Sequence, residues 1–321
     1  MSKLLSKYEN GNYVVRIYND GTKIRETDEE IWKPEFPECI DLTVTEKCRG
    51  GCPFCYAQCW DKGPSMDLKD PDIKAFIKSL HPFTEVAVNL NDMSWPELPV
   101  LLRTLKEHLI ITNGTINAKH LSLNNEALLK TWQQKKMIYG VGVSANHFAK
   151  DKDVLCKVIP NLDNVVVHII AGITDNDDID AIINFQLRHR LKLLILGYKK
   201  ETAGKANQYY LDNHEEIDAN IDLLKNRLEE IKKHVGLVAF DNLGIIQTNA
   251  WDIVPIEERE GLFMGLEGEF TYFANLVRKK FGISSMVSED EMHTLIPDST
   301  ECFRQIRKEA GFYDTISSNL Q

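Results

Sequence analysis

The chain has 321 residues, enough for one large α/β unit with a sizeable core, and 38 Lys and Arg against 48 Asp and Glu leave a net charge of −10. Such a surface repels polyanions, so a large nucleic acid is a poor partner. Seven cysteines, most of them bunched around residue 50, are too few and too clustered for a disulfide scaffold, and no apolar run exceeds strand length. A secretory signal and a membrane span are therefore not expected, and the chain is read as cytoplasmic.

Residues 13–18 and 22–25 flank Asn19-Asp20-Gly21, the composition of a hairpin turn, and predict a β-ribbon. Pro34 and Pro37 hold the following connector extended, so residues 1–37 form an N-terminal unit. A first core strand is read at 40–45. From residue 70 onward helix-period and strand-like segments alternate. Helices are expected at 70–80, 97–108, 124–135, 152–159 and 177–189, and strands at 85–89, 109–112, 138–144, 165–170 and 191–196. With the first strand this makes six βα repeats over 38–200, the pattern of a parallel sheet. Beyond it, residues 201–321 form an α/β extension. It starts with a polar, aromatic loop at 204–210 and a helix at 215–234, whose Ile217, Ile221, Leu224, Leu228 and Ile231 share one face. A strand pair is expected at 237–240 and 244–247, and a helix at 272–280.

Directly after the first core strand lies Cys48-Arg49-Gly50-Gly51-Cys52-Pro53-Phe54-Cys55. Three thiols at C-x3-C-x2-C, on a Gly-Gly-Pro loop too tight for a helix, can wrap one corner of an inorganic cluster and leave one iron of a four-iron cube open. Cys59, four residues on, keeps two other readings open: a four-thiolate zinc knot or a closed, ferredoxin-like cluster. Structural zinc more usually takes two close pairs separated by a longer loop. Cys156 and Cys302 are isolated, so auxiliary clusters have no support.

The cysteine stretch resembles the signature of the radical S-adenosylmethionine (SAM) superfamily. The resemblance implies a [4Fe–4S] cluster on Cys48, Cys52 and Cys55, with SAM chelating the open iron through its amino and carboxylate groups. An electron from a donor such as flavodoxin or ferredoxin would then cleave SAM to methionine and a 5'-deoxyadenosyl radical. The implied fold is a partial (β/α)6 barrel with an N-terminal β-ribbon and a C-terminal α/β extension that closes the substrate site, the site lying at the C-terminal ends of the strands.

On that template Phe54 and Tyr56 wall the adenine, and Asn91 and Asp92 stand where the family often has Gly-Gly-Glu, a departure from its motif. Thr112 belongs to a turn beneath SAM, Ser144 and Asn146 bond its ribose or carboxylate, and Ile169 packs on adenine. Leu196 and Tyr198 add backbone groups and an aromatic face. Ser144 and Thr112 read equally well as local turn formers. His168, on an otherwise apolar strand, reads as a core residue or, since its strand points into the barrel, as part of the site.

Asp241, Asn242, Glu267 and Glu269 are the candidate substrate contacts, carboxylates and an amide suited to a donor-rich small molecule. Together with Ser284-Ser285 they are similar to a small clade that includes queuine lyase, which implies C–N cleavage of queuine to preQ1 in salvage. The alternatives are a peptide-modifying, protein-modifying or glycyl-radical-activating enzyme and, outside catalysis, an iron–sulfur or zinc binding module. Asp241 and Asn242 also read as turn formers, and the two glutamates as a helix N-terminal turn.

Overall fold

The computed structural model describes residues 3–185, 191–202, 204–259, 263 and 265–312. Three antiparallel strands open the chain: β1 (Leu4–Asn10), β2 (Tyr13–Tyr18) and β3 (Lys23–Glu26). The turn between β2 and β3 carries Gly21 at φ 92°, a value that glycine accepts without strain. β1 was not expected, because charged and polar residues interrupt its apolar period.

The core sheet begins with six parallel strands in sequence order: β4 (Cys39–Thr43), β5 (Glu85–Asn89), β6 (Ile111–Asn117), β7 (Val141–Ser144), β8 (Val165–Ile170) and β9 (Lys192–Leu196). Helices α1 (Pro71–Ser79), α2 (Leu98–Glu107), α3 (Leu123–Gln134), α4 (Phe148–Val158) and α5 (Asn176–Ile183) occupy the connections. Right-handed crossovers between strands taken in order put every helix on the same face, as in a barrel. Local chemistry sets the helix starts. Asp70 accepts from the Asp72 and Ile73 amides ahead of Pro71, and Asp175 forms a capping box with Asp178. The last residues of the helix expected over 177–189 lie outside the described residues.

The extension departs from expectation in three places. Residues 204–210 are not a loop: all but Gly204 belong to α6 (Lys205–His234), which bends at Asn213, where φ is −137°. Residues 237–247 are not a hairpin. β10 (Leu237–Phe240) pairs parallel with β9, and Asp241 then caps α7 (Asn242–Thr248). Residues 272–280 are not a helix but β11 (Thr271–Asn275), parallel to β4, a turn, and the start of antiparallel β12 (Lys280–Gly282). Short β13 (His293–Thr294) and α8 (Ser299–Glu309) follow. The sheet order is β10-β9-β8-β7-β6-β5-β4-β11-β12-β13, so the expected six parallel strands become eight among the described residues, and 201–321 extends the sheet at both edges. The sheet is open, a partial barrel.

Strand alternation separates two faces. Ile40, Leu42, Val86 and Val88 are buried against the helices, whereas Asp41, Thr43, Asn89 and His168 sit on the opposite, inner face. The N-terminal ribbon packs at the amino ends of β4 and β5. Lys23 there lies 3.3 Å from Glu38 and 2.7 Å from Glu85, and Arg25 and the Tyr13 hydroxyl each reach Glu38 at 2.7 Å. That end is closed by a charge network, which leaves the carboxyl ends of the strands as the accessible rim. Among the described residues no helix is long and apolar enough to cross a membrane.

Candidate functional site

The loop from β4 to α1 carries the cysteines and doubles back on itself at the carboxyl end of the sheet. Cys48 N donates to Trp60 O at 2.9 Å, Trp60 N to Glu46 O at 3.0 Å and Met66 N to Val44 O at 3.0 Å. The Thr45 and Ser65 hydroxyls bond at 2.8 Å across the base of the loop. This anchoring leaves residues 48–58 to arch over the rim.

Nitrogen atoms from the loop itself and from the segments after β6 and β7 surround the thiols. The Gly50 amide donates to Cys48 Sγ at 3.3 Å, and Asn146 Nδ2 donates to Cys52 Sγ at 3.5 Å. His120 Nε2 lies 3.3 Å from Cys48 Sγ. Burial holds His120 below its ordinary pKa, so the ring is neutral near pH 7. A side chain at Gly50 would intrude here: its Cβ would fall 3.2 Å from Cys48 Sγ, 3.6 Å from His120 Nε2 and 3.8 Å from Cys52 Sγ. Thiols converging on a space kept open by glycine, with N–H donors aimed at sulfur, fit a thiolate-ligated cluster. A tetrahedral zinc site needs donors within about 2.3 Å of one point. Among the described residues no three His, Cys, Asp or Glu side chains are grouped to hold a single ion.

Cys59 is buried and receives a 3.6 Å contact from Asn91 Nδ2. Its hydrogen bond with Cys55 pulls the Cys55 thiol down to about 6 and pushes the Cys59 thiol up. Burial pushes Cys48 and Cys52 up. Cys55 is thus the thiol most ready to ionise.

The expected rim residues divide. Phe54 is buried with Tyr198, Ile173 and Ile217, and meets Tyr209 edge-on at 5.7 Å. Tyr56 lies under the Lys199 ammonium at 3.8 Å. Ser144 and Leu196 end their strands on the inner face, and Asn146 stands two residues past β7, its Oδ1 buried without a hydrogen-bond partner among the described residues. Asp92 is held by Lys47 at 3.0 Å. Burial opposes its ionisation, but the Ser94 hydroxyl and Lys47 outweigh this and keep its carboxyl below the ordinary value. Both backbone polar groups of Tyr198 are occupied by the Gln247 amide, at 2.7 and 2.9 Å. His168 faces inward across Gly142, whose added Cβ would lie 2.4 Å from His168 Cε1, and burial takes the imidazole down to about 4.

Other residues are corrected by the structure. Thr112 is the second residue of β6, shares the helix-side face with Val86 and lies five residues short of the rim, which is formed by Asn117. Ile169 points into the helix-side core, and Ile170 is the residue that reaches the Phe54 cluster. Asp241 accepts from Gly197 N at 2.9 Å and Gly244 N at 2.6 Å, so its first role is to cap α7 and tie it to β9. Asn242 donates to Gly265 O at 2.8 Å, with Oδ1 buried and unbonded. Glu267 and Glu269 precede the amino end of β11, where Phe270 O accepts from Glu38 N at 2.9 Å. Five strand residues, roughly 17 Å, separate them from the Asn275 rim. Sequence reasoning overlooked His120, Lys119 and Asn117. The only signal available was their position at and just past the end of β6, which was placed too early.

Beside the cysteine loop lies a cavity of about 360 Å³ lined by Thr43, Glu46, Tyr56, Trp60, Phe273 and Arg278, among others. It opens between the rim of β4 and β11 and the segment after β12.

Consecutive parallel strands with all helices outside, an open sheet and a cysteine loop after the first core strand define the class: an α/β partial barrel with its site on the carboxyl rim. Among solved structures the chain is similar to Streptococcus suis SuiB bound to precursor peptide SuiA, with TM-score 0.54 and 10% identity over 98% of this chain and 89% of that one. It is also similar to SuiB bound to S-adenosylmethionine, with TM-score 0.54 and 11% identity over 86% and 80% of the two chains. At these identities the likeness is one of fold. No protein-family model and no curated protein sequence matches the chain.

Proposed function

We propose that this protein is a radical SAM enzyme that modifies a peptide. The observation that carries the reading is the pair of Cys48 and Cys52 thiols beside the space kept open by Gly50 at the carboxyl rim, with Cys55 near enough to interact electrostatically with both, in a fold shared with a protein solved bound to SAM and bound to a precursor peptide. Cys48, Cys52 and Cys55 would hold a [4Fe–4S] cluster, which with SAM supplies a 5'-deoxyadenosyl radical once a flavodoxin- or ferredoxin-class donor has delivered an electron. Gly50 N and Asn146 Nδ2 donate to the thiolates, and Phe54, packed among Tyr198 and Tyr209, walls the side facing β8 and β9. The cavity on the other flank of the loop is the place for substrate.

The queuine lyase reading leaned on carboxylates of the extension. With Glu267 and Glu269 ahead of the amino end of β11 and Asp241 committed to backbone amides, it has no support from the site. The test is anaerobic reconstitution with iron and sulfide, then reduction with SAM and chromatography for 5'-deoxyadenosine. Four irons per chain and reductive SAM cleavage are expected. Stoichiometric zinc, or an iron-loaded protein that leaves SAM intact, would overturn the proposal.

A further inference from the structure

The inner face of β4 carries one carboxylate that the fold does not use. Ile40 and Leu42 are buried against the helices, so Asp41 points inward, level with Ala87 of β5 and Phe273 of β11. Thr43, two residues nearer the rim on the same face, and Phe273 both line the 360 Å³ cavity; Asp41 lies behind Thr43, level with Phe273, next to the lining rather than part of it. Neighbouring acids along this interior have partners. Glu38 and Glu85 hold Lys23, Glu46 holds Arg278, Asp92 holds Lys47, and Asp241 holds two amides. Asp41 has no hydrogen bond or ion pair among the described residues; its side chain meets solvent on the inner face, though the surrounding walls desolvate it enough to push its carboxyl above the ordinary value. The cation that it feels electrostatically, Lys199, is engaged elsewhere, with its ammonium 2.8 Å from Ser285 Oγ and over the Tyr56 ring.

We propose that Asp41 is a specificity residue that receives a cationic side chain, an ammonium or guanidinium, of the peptide substrate. The inference rests on the peptide reading above. A substrate side chain that reaches past Thr43 to Asp41 strips water from it, and a carboxylate losing its hydration needs a charged donor in exchange. Phe273, its register partner on β11 and a wall of the cavity, adds an aromatic side chain on the same face of the sheet. An apolar or acidic side chain at this point would leave Asp41 desolvated and unpaired, so the arrangement selects against both.

The test uses three short peptides, acetylated and amidated at their ends, in which a single lysine, arginine or norleucine stands between two triglycine arms. Each is titrated calorimetrically into the reconstituted enzyme and into Asp41→Asn and Asp41→Glu. One charge-assisted hydrogen bond predicts that the better cationic peptide binds the unaltered enzyme about tenfold or more tighter than the norleucine peptide. Asp41→Asn should erase that preference and Asp41→Glu should keep part of it. Equal binding of all three peptides by the unaltered enzyme would overturn the proposal whether or not the variants fold, as would a preference that persists in Asp41→Asn. The readout needs no SAM turnover. An enzyme that prefers the cation but never cleaves SAM would refute the radical reading and leave Asp41 as a cation site.

Discussion

Arg278 holds Glu46 in a two-pronged grip, Nε to Oε1 at 2.7 Å and Nη2 to Oε2 at 2.9 Å. Glu46 follows β4 and starts the cysteine loop, and Arg278 follows β11, so the pair ties the loop to the far side of the cavity. Glu46 is nearly buried, with 6% of its side chain exposed, while Arg278 keeps 39%. Removing Arg278 leaves the enclosed Glu46 charge to the Asn275 amide, which donates to Oε1 at 3.1 Å, whereas Lys restores charge without the fork. Arg278→Ala should lower unfolding free energy by about 2 kcal/mol, discounted for the exposure of the arginine, and Arg278→Lys by roughly half of that. Urea titrations decide it, and a loss below about 0.5 kcal/mol for the alanine variant would mean that the grip does not hold the loop.

Asn146 reaches Cys52 Sγ at 3.5 Å from just past β7. A donor to a cluster thiolate favours the reduced, more negative state, so its loss makes the cluster harder to reduce. Asn146→Ala should shift the midpoint down by on the order of 40 mV, the one-electron equivalent of about 1 kcal/mol. Potentiometric titration followed by electron paramagnetic resonance measures it, and an unchanged or raised midpoint contradicts the role.

His168 gives a pH dependence with a defined sign. Burial lowers its pKa from an ordinary 6.5 to about 4, so the unfolded chain takes up the proton first as pH falls. Its contribution to stability is complete above pH 6.5 and is lost as pH drops toward 4, with a slope of at most about 1.4 kcal/mol per pH unit. His81 and His120 are lowered too, so the contrast with a variant isolates His168. His168→Gln should flatten the curve in that window. Parallel slopes for variant and parent would show that the imidazole keeps its ordinary pKa when folded.

Much of the sheet is legible because its strands are short apolar or alternating runs bounded by polar residues. Glu85–Asn89 and Val165–Ile170 are bounded in the sequence as they are in the structure. Thr112-Asn113-Gly114 misleads because a glycine between polar residues looks like a turn. Gly114 instead lies inside β6, where a Cβ would fall 2.4 Å from Leu90 Cδ1. Packing, which no local pattern reports, requires the glycine. Residues 271–280 satisfy helix and strand spacing at once. What decides is Asn275, whose Oδ1 accepts from the amides of Val277 and Arg278 and turns the chain. Once β11 is a strand, Glu267 and Glu269 move to its amino end, and the substrate assignment that rested on them goes with it. The cysteine loop is legible because its chemistry is local, but the nitrogens beside it, on His120 and Asn146, come from segments just past β6 and β7, far along the chain.

Cys59 separates the readings of the loop. It is buried within hydrogen-bonding reach of Cys55 and Asn91, so proximity alone allows it to act as a fourth ligand. Its thiol, however, is pushed up while that of Cys55 is pulled down to about 6, an arrangement in which Cys59 donates and Cys55 carries the charge. A fourth thiolate would also close the iron that SAM needs. Cys59→Ala should therefore retain four irons per chain and reductive SAM cleavage within about threefold of the parent, the residual cost being one hydrogen bond to Cys55 Sγ, roughly 0.5–1 kcal/mol. Cys48→Ala, Cys52→Ala and Cys55→Ala should each lose the cluster absorbance and all SAM cleavage. Iron content together with 5'-deoxyadenosine yield reads both effects. Loss of iron in Cys59→Ala, with SAM untouched by the parent, would identify a closed four-cysteine cluster and remove the enzyme reading altogether.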